Sequence, residues 1–207
     1  MHRVPHLSLY TPDAVTSGQV AAVQRALSAA GRRYRYLDCT IDGYERGNGQ
    51  EGHFVYHRVV PSDELVEFRR DLARRLASIC PSPKRFESPG ADFLFHITVA
   101  YRLSQRQADR LWRHLNGAGV STSTPRGATG FLGWLRRLLH LGNRPDPGPA
   151  SKVFRIPLRV VRVSLIGNDQ RIVCEYDLPG QRVLSRREAL DRRGWRHSIQ
   201  AARALTK

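Results

Sequence analysis

Acids are what this sequence has too few of. Its 207 residues set 18 Asp/Glu against 34 Lys/Arg, for a formal net charge of +16. The deficit is uneven: residues 1–101 hold 13 bases and 11 acids, whereas residues 102–207 hold 21 bases and 7 acids. A field of that strength gathers polyanions, with RNA or DNA as the default partner. Lysine is scarce as well. Three of the bases are Lys and the rest are Arg, whose planar fork suits bidentate contact with phosphate. A base-composition bias would account for Arg in place of Lys, but less well for the missing acids. Cysteine is limited to Cys39, Cys80 and Cys174. An odd number at wide spacing excludes a disulfide framework and a Cys-based metal knuckle. No apolar run approaches the roughly 20 residues needed to span a membrane. The first residues, Met1 to Pro5, run straight into a strand-like segment, so no secretory leader is expected and a reducing cytoplasm is the predicted location.

What is present is an ordinary globular composition, 41% hydrophobic and 25% charged, with length for one domain or two closely packed lobes. His6-Leu7-Ser8-Leu9-Tyr10 alternates in polarity and predicts a short strand. Residues 14–30 have helical spacing, stopped by Gly31. Residues 34–44 and 53–60 alternate again around a turn at Gly47-Asn48-Gly49, and Ser62 caps a helix over 63–79. A strand follows over 93–101, then a helix over 105–116 capped by Ser104. Residues 153–166 predict one long strand with Pro157 at a bulge or edge. A turn at 167–169, a strand over 171–178 and a short helix from Arg186 to about Arg193, capped by Ser185, complete the order. The basic segment after Gly194 reads as a helix or a frayed tail.

The two halves lie side by side as strand, helix, strand, turn, strand, helix. His6 to His53 spans 47 residues and the equivalent step from His96 to Ile172 spans 76. A Gly/Pro/Ser/Thr-edged insertion at 118–150 accounts for the difference. The expectation is therefore an α/β (α+β) fold of two pseudo-twofold-related lobes, each with an antiparallel sheet and helices, around a central cleft. In this scheme residues 1–207 form one bilobal domain, with lobe-forming repeats at about 4–80 and 92–193.

Each half opens with a strand of the pattern H-x-[S/T]-x. On a strand, residues two apart share a face, so His6 projects with Ser8, and His96 with Thr98. The flanking Leu7, Leu9, Ile97 and Val99 are expected to pack on the other side. A cleft offered two imidazoles and two hydroxyls suits phosphodiester cleavage. One imidazole takes a proton from the attacking oxygen, the other gives one to the leaving oxygen, and the hydroxyls hold the non-bridging phosphate oxygens. Histidine's unperturbed pKa of about 6.5 makes both protonation states accessible near neutrality, and neither a metal nor a cofactor is called for. The spacing does not say which histidine is base and which is acid.

The pair HLSL and HITV resembles the two HxTx signatures of the two-histidine (2H) phosphoesterase superfamily, which includes the 2′-5′ RNA ligases and RNA 2′,3′-cyclic phosphodiesterases. The RVSLIGNDQRIVCEYDL hairpin and the following SRREAL are also similar to the family's C-terminal strands and helix. The resemblance covers about residues 4–116 and 153–193. It implies a bilobal fold and hydrolysis of 2′,3′-cyclic phosphate ends of RNA, such as tRNA fragments, to 2′-phosphates, with 2′-5′ ligation in some members. It implies His6 and His96 as the acid/base pair, Ser8 and Thr98 as phosphate holders, and no metal. A monomer is expected. Ser8 stands where members often have Thr, and the first motif lies nearer the N-terminus than in the better-known bacterial ligases. Two other readings remain open: a phosphodiesterase for a small nucleotide (ADP-ribose cyclic phosphate or a 2′-5′ oligonucleotide), and a non-catalytic RNA-binding module.

Other residues carry weaker signals. Tyr10, four after His6, is either a base-stacking or phosphate contact in the cleft or a packing residue at its rim. Tyr101, five after His96, falls on the wrong face unless the strand bulges. Arg102 could reach phosphate from the strand end. His53 and His57 share a strand face but lack a third metal ligand, so solvated or RNA-proximal positions are expected. Residues 131–141 are amphipathic and read as a lid, an RNA- or membrane-binding helix, or a helix packed on the second lobe.

Overall fold

The computed structural model describes residues 6–49, 51–115, 154–167 and 169–205. The insertion at 118–150 and the amphipathic stretch 131–141 lie outside them. The fold is mixed α/β with two antiparallel sheets. In chain order the elements are α1 (Val20–Gly31), β1 (Leu37–Gly49), β2 (Gly52–Pro61), α2 (Asp63–Ala77), β3 (His96–Leu103), α3 (Gln105–Leu115), β4 (Arg155–Val160), β5 (Arg162–Ile166), β6 (Ile172–Asp177), β7 (Arg182–Ser185), α4 (Arg186–Ala189) and α5 (Arg192–Ala204). The larger sheet has the order β3-β2-β1-β4 and the smaller β5-β6-β7.

The caps expected from the sequence form. Ser62 accepts from the Leu65 amide and Ser185 from that of Glu188. Ser104 and Gln107 bond each other's backbone amides reciprocally. The strand expected over His6 to Tyr10 is reduced to an isolated bridge at Leu7, the helix expected from residue 14 starts at Val20, and the strands expected from 34 and 93 start at Leu37 and His96. Other boundaries differ too. The glycines at 47 and 49 belong to β1, paired with Phe54 and Gly52, and the Phe54 ring occupies the space a side chain at Gly47 would need. The turn is displaced to Glu51, and the φ of 108° at Gly52 favours glycine there. The expected strand 153–166 is two strands: β4 pairs with β1 and β5 pairs with β6, so the chain changes sheets at Val161. Pro157 does lie in an edge strand, β4. Beyond Pro179-Gly180 the chain adds β7, a hairpin partner of β6 not expected from the sequence. The larger sheet thus takes β1 and β2 from the first half of the chain and β3 and β4 from the second, so sheets and sequence repeats do not coincide.

One core joins these layers. Val23, Leu27 and Ala30 of α1, Leu65, Phe68 and Leu72 of α2, Leu37 and Val59 of the larger sheet and Tyr176 of the smaller are all buried in one cluster. Gly31 lies within α1, where any β-carbon would strike the Tyr176 ring. Close packing, rather than a left-handed helix stop, explains that glycine.

The N-terminal segment is tied down by α2 and the loop after it. Arg69, 1% exposed, donates to the carbonyls of Leu9, Ser88 and Phe86 and lies over the Phe93 ring. The buried Glu87 accepts from the Thr11 amide at 2.6 Å. Replacing Arg69 by Met removes three hydrogen bonds to partly buried carbonyls together with a buried charge, so Arg69→Met should cost about 2–4 kcal/mol. A lowered urea midpoint with an unchanged slope would be the sign; an unaltered midpoint would refute the clamp.

Candidate functional site

Leu7 pairs with Ile97 in an isolated antiparallel bridge. This lays the segment from His6 along the side of β3 away from β2. The register set by that pair puts His6 across from Thr98, and Ser8 across from His96. Opposed residues in an antiparallel pair share a face, with β-carbons about 4.5–5.5 Å apart. All four side chains therefore belong to one face. Leu7, Leu9 and Ile97 pack on the core from the other. His6 is exposed, and Ser8, His96 and Thr98 are half-buried.

The neighbouring strands extend that face. Arg58 of β2 is opposite His96, and Tyr56 is opposite Thr98. The Tyr56 ring meets the His96 ring edge-on, with centroids 5.5 Å apart, and its hydroxyl donates to Glu45 Oε2 at 2.6 Å. Arg58 bonds Asp42 and lies 3.5 Å from Glu45. Asp42 also accepts from Arg155 Nε at 3.1 Å. Burial alone would raise the pKa of Asp42, which is 7% exposed. The hydrogen bonds and charges of Arg155 and Arg58 outweigh that and hold its carboxyl below the ordinary carboxylate value. His96 Nδ1 is 3.0 Å from the Leu94 carbonyl. A carbonyl only accepts, so in this contact Nδ1 is the donor and Nε2 takes no part in it.

Sequence reasoning missed Arg58, Tyr56 and Asp42. The spacing of Phe54, Tyr56 and Arg58 already put the three on one face of β2, but nothing in the sequence says which residues of another strand stand beside them. Tyr10 is placed as the packing alternative: a bend at Leu9 ends the alternation, and the Tyr10 hydroxyl donates to the Cys80 carbonyl at 3.0 Å. Tyr101 gains its place through a bulge. Tyr56 pairs with Thr98 but Val55 with Ala100, so Val99 is an extra residue. It is exposed instead of packed under a helix, and Tyr101 moves to the face of Thr98. Arg102 is paired bidentately with Glu51 and lies six residues past His96, roughly 20 Å along a strand. One phosphate cannot bridge that span. His57 is stacked on Tyr44 at 4.5 Å and flanked by Phe154. Burial holds its pKa down despite a backbone contact at Gly43, a packing role instead of the solvated one expected. Among the described residues no group of three or more His, Cys, Asp or Glu is placed to hold a metal ion.

The family model described as the 2′-5′ RNA ligase superfamily matches residues 1–126. The chain belongs to the 2′-5′ RNA ligase superfamily. The superfamily match covers both histidine motifs and strands β1 to β3. It stops before the C-terminal hairpin, whose likeness to the superfamily rests on the sequence alone. No curated protein matches the chain. Among the described residues no helix is long and apolar enough to cross a membrane.

The Asp42 ties should show in acid. A folded-state pKa below the unfolded value of about 3.9 gives stability that is present above about pH 4 and lost as pH falls through the lowered value. Asp42→Asn should therefore cost about 1–3 kcal/mol at pH 6 and much less near pH 2. Urea midpoints of both proteins across that range would check it; a pH-independent gap would count against it.

Proposed function

We propose that this protein is an RNA phosphodiesterase that opens 2′,3′-cyclic phosphate ends to 2′-phosphates, with His6 and His96 as its acid/base pair. The observation that supports the reading is the Leu7–Ile97 bridge, whose register, continued one residue to either side, would set His6 and Ser8 beside Thr98 and His96. In the reaction, one imidazole takes a proton from water as its oxygen bonds to phosphorus. The bond from phosphorus to O3′ breaks, and the other imidazole protonates the departing O3′. Ser8 and Thr98 donate to the non-bridging oxygens, whose charge grows in the transition state. A 5′-hydroxyl in place of water would make a 2′-5′ linkage by the same steps. Both proton transfers are supplied by side chains, so turnover in EDTA is expected.

The reading extends to organisation. The chain is taken as one bilobal domain, with repeats at about 4–80 and 92–193 and the insertion at 118–150, acting as a cytoplasmic monomer on RNA ends such as tRNA fragments. The excess of bases after residue 101 favours a long polyanion over a small cyclic nucleotide.

An oligoribonucleotide ending in 2′,3′-cyclic phosphate, incubated with the protein in EDTA, should yield the 2′-phosphate. His6→Ala and His96→Ala should each lose about 10²–10⁴ in rate, and Ser8→Ala or Thr98→Ala about 10²–10³ in kcat. Binding without turnover in the unaltered protein would overturn the proposal in favour of an RNA-binding module. Turnover of ADP-ribose cyclic phosphate alone would favour the small-nucleotide reading.

A further inference from the structure

Between the end of β2, α2 and the segment just before β3 lies a cavity of about 780 Å³, lined by Arg58 and Phe95, the neighbours of His96 across and along the chain, and large enough for a nucleotide. Arg58, Asp42 and Arg155 line one wall and Arg70 another. Val60 and Leu94 contribute apolar surface, 47% and 40% exposed respectively. The cavity's acids are Asp42 and Asp92. Asp42 is spent between two guanidiniums, whereas Arg70 makes no ion pair among the described residues. The outward parts of Arg58 and Arg155, 43% and 75% exposed, remain for an anion. Cations beside exposed apolar surface match a nucleotide, whose phosphate needs the charge and whose base and sugar need the cover.

The sheet sets the distance. Arg58 is one strand from His96, and Asp42 with its Arg155 partner is two to three strands away. At about 4.8 Å per strand, this places the second cationic group roughly 10–14 Å from the imidazole, the scale of one further step along an RNA chain. It is too far for the phosphate under attack. Val60 follows Arg58 by two residues on the same face of β2 and pairs with Thr40.

We propose that this cavity is a second substrate subsite, taking the nucleotide that precedes the cyclic-phosphate end, with its phosphodiester on Arg58 and Arg155 and its base or sugar against Val60 and Leu94. The proposal rests on the phosphodiesterase reading above and makes this a site with a preference for chains over single nucleotides.

The test compares a 2′,3′-cyclic mononucleotide with a dinucleotide ending in 2′,3′-cyclic phosphate. Val60→Glu and Arg155→Gln should lower kcat/KM for the dinucleotide 10- to 50-fold and leave the mononucleotide within twofold. Equal losses on both substrates, or none on the dinucleotide, would overturn the subsite. If the unaltered protein turns over neither substrate, the phosphodiesterase reading fails by itself. The cavity is then judged by calorimetric titration with a dinucleoside phosphate carrying a terminal 2′-phosphate, against a 2′-mononucleotide. Tighter binding of the dinucleotide that both variants abolish keeps the subsite; equal binding of the two ligands removes it. Far-UV circular dichroism matching that of the unaltered protein, with a single cooperative urea transition, shows that the variants fold.

Discussion

A single antiparallel contact, Leu7 against Ile97, brings the two H-x-[S/T]-x segments side by side. The two histidine motifs are ninety residues apart in the chain, and a slip of one residue in their pairing would send His6 and Ser8 to the opposite face. One isolated bridge is too little to hold that register. The surroundings supply the rest: Arg69 grips the Leu9 carbonyl, Glu87 the Thr11 amide, and Tyr10 reaches the Cys80 carbonyl. Arg69 also binds the Phe86 and Ser88 carbonyls, in the loop that leads into β3. The same guanidinium thus ties the segment after Leu7 to the loop that precedes β3.

The polar face is organised by pairing charges across strands. Asp42 alone would be expensive to bury, and two arginines from different strands make it tolerable. In return it keeps Arg58 beside His96 and leaves Arg155 further along the sheet. Glu45 serves Arg58 and Tyr56 in the next row. The bulge between Ile41 and Tyr44, with Gly43 at φ 76°, lets β1 bring both carboxylates onto this face.

The smaller sheet is secured differently. Arg162 and Glu175 form a buried ion pair at 3.2 Å. Arg162 further bonds Ser198 of α5 and the Ala189 carbonyl, beneath the Trp195 ring. The charge is therefore satisfied by helices and strand together, which locks α4 and α5 onto β5 and β6. Tyr176, seated against Gly31 on the other side of the sheet, connects that unit to α1 and the common core.

Much of this was legible in the chain. Helix caps at Ser62, Ser104 and Ser185, the helical spacing of α1 and α2, and the two H-x-[S/T]-x segments are local patterns, determined by neighbours within a few residues. The family follows from the same motifs. The tertiary structure decided the rest: that the run 153–166 divides between two sheets, that β7 exists, that Tyr10 turns to the core while Tyr101 turns to the polar face, and that Arg58 instead of Arg102 stands next to His96. Those outcomes depend on strand partners and bulges, and a strand's own sequence carries its alternation but not the identity of the strand hydrogen-bonded beside it.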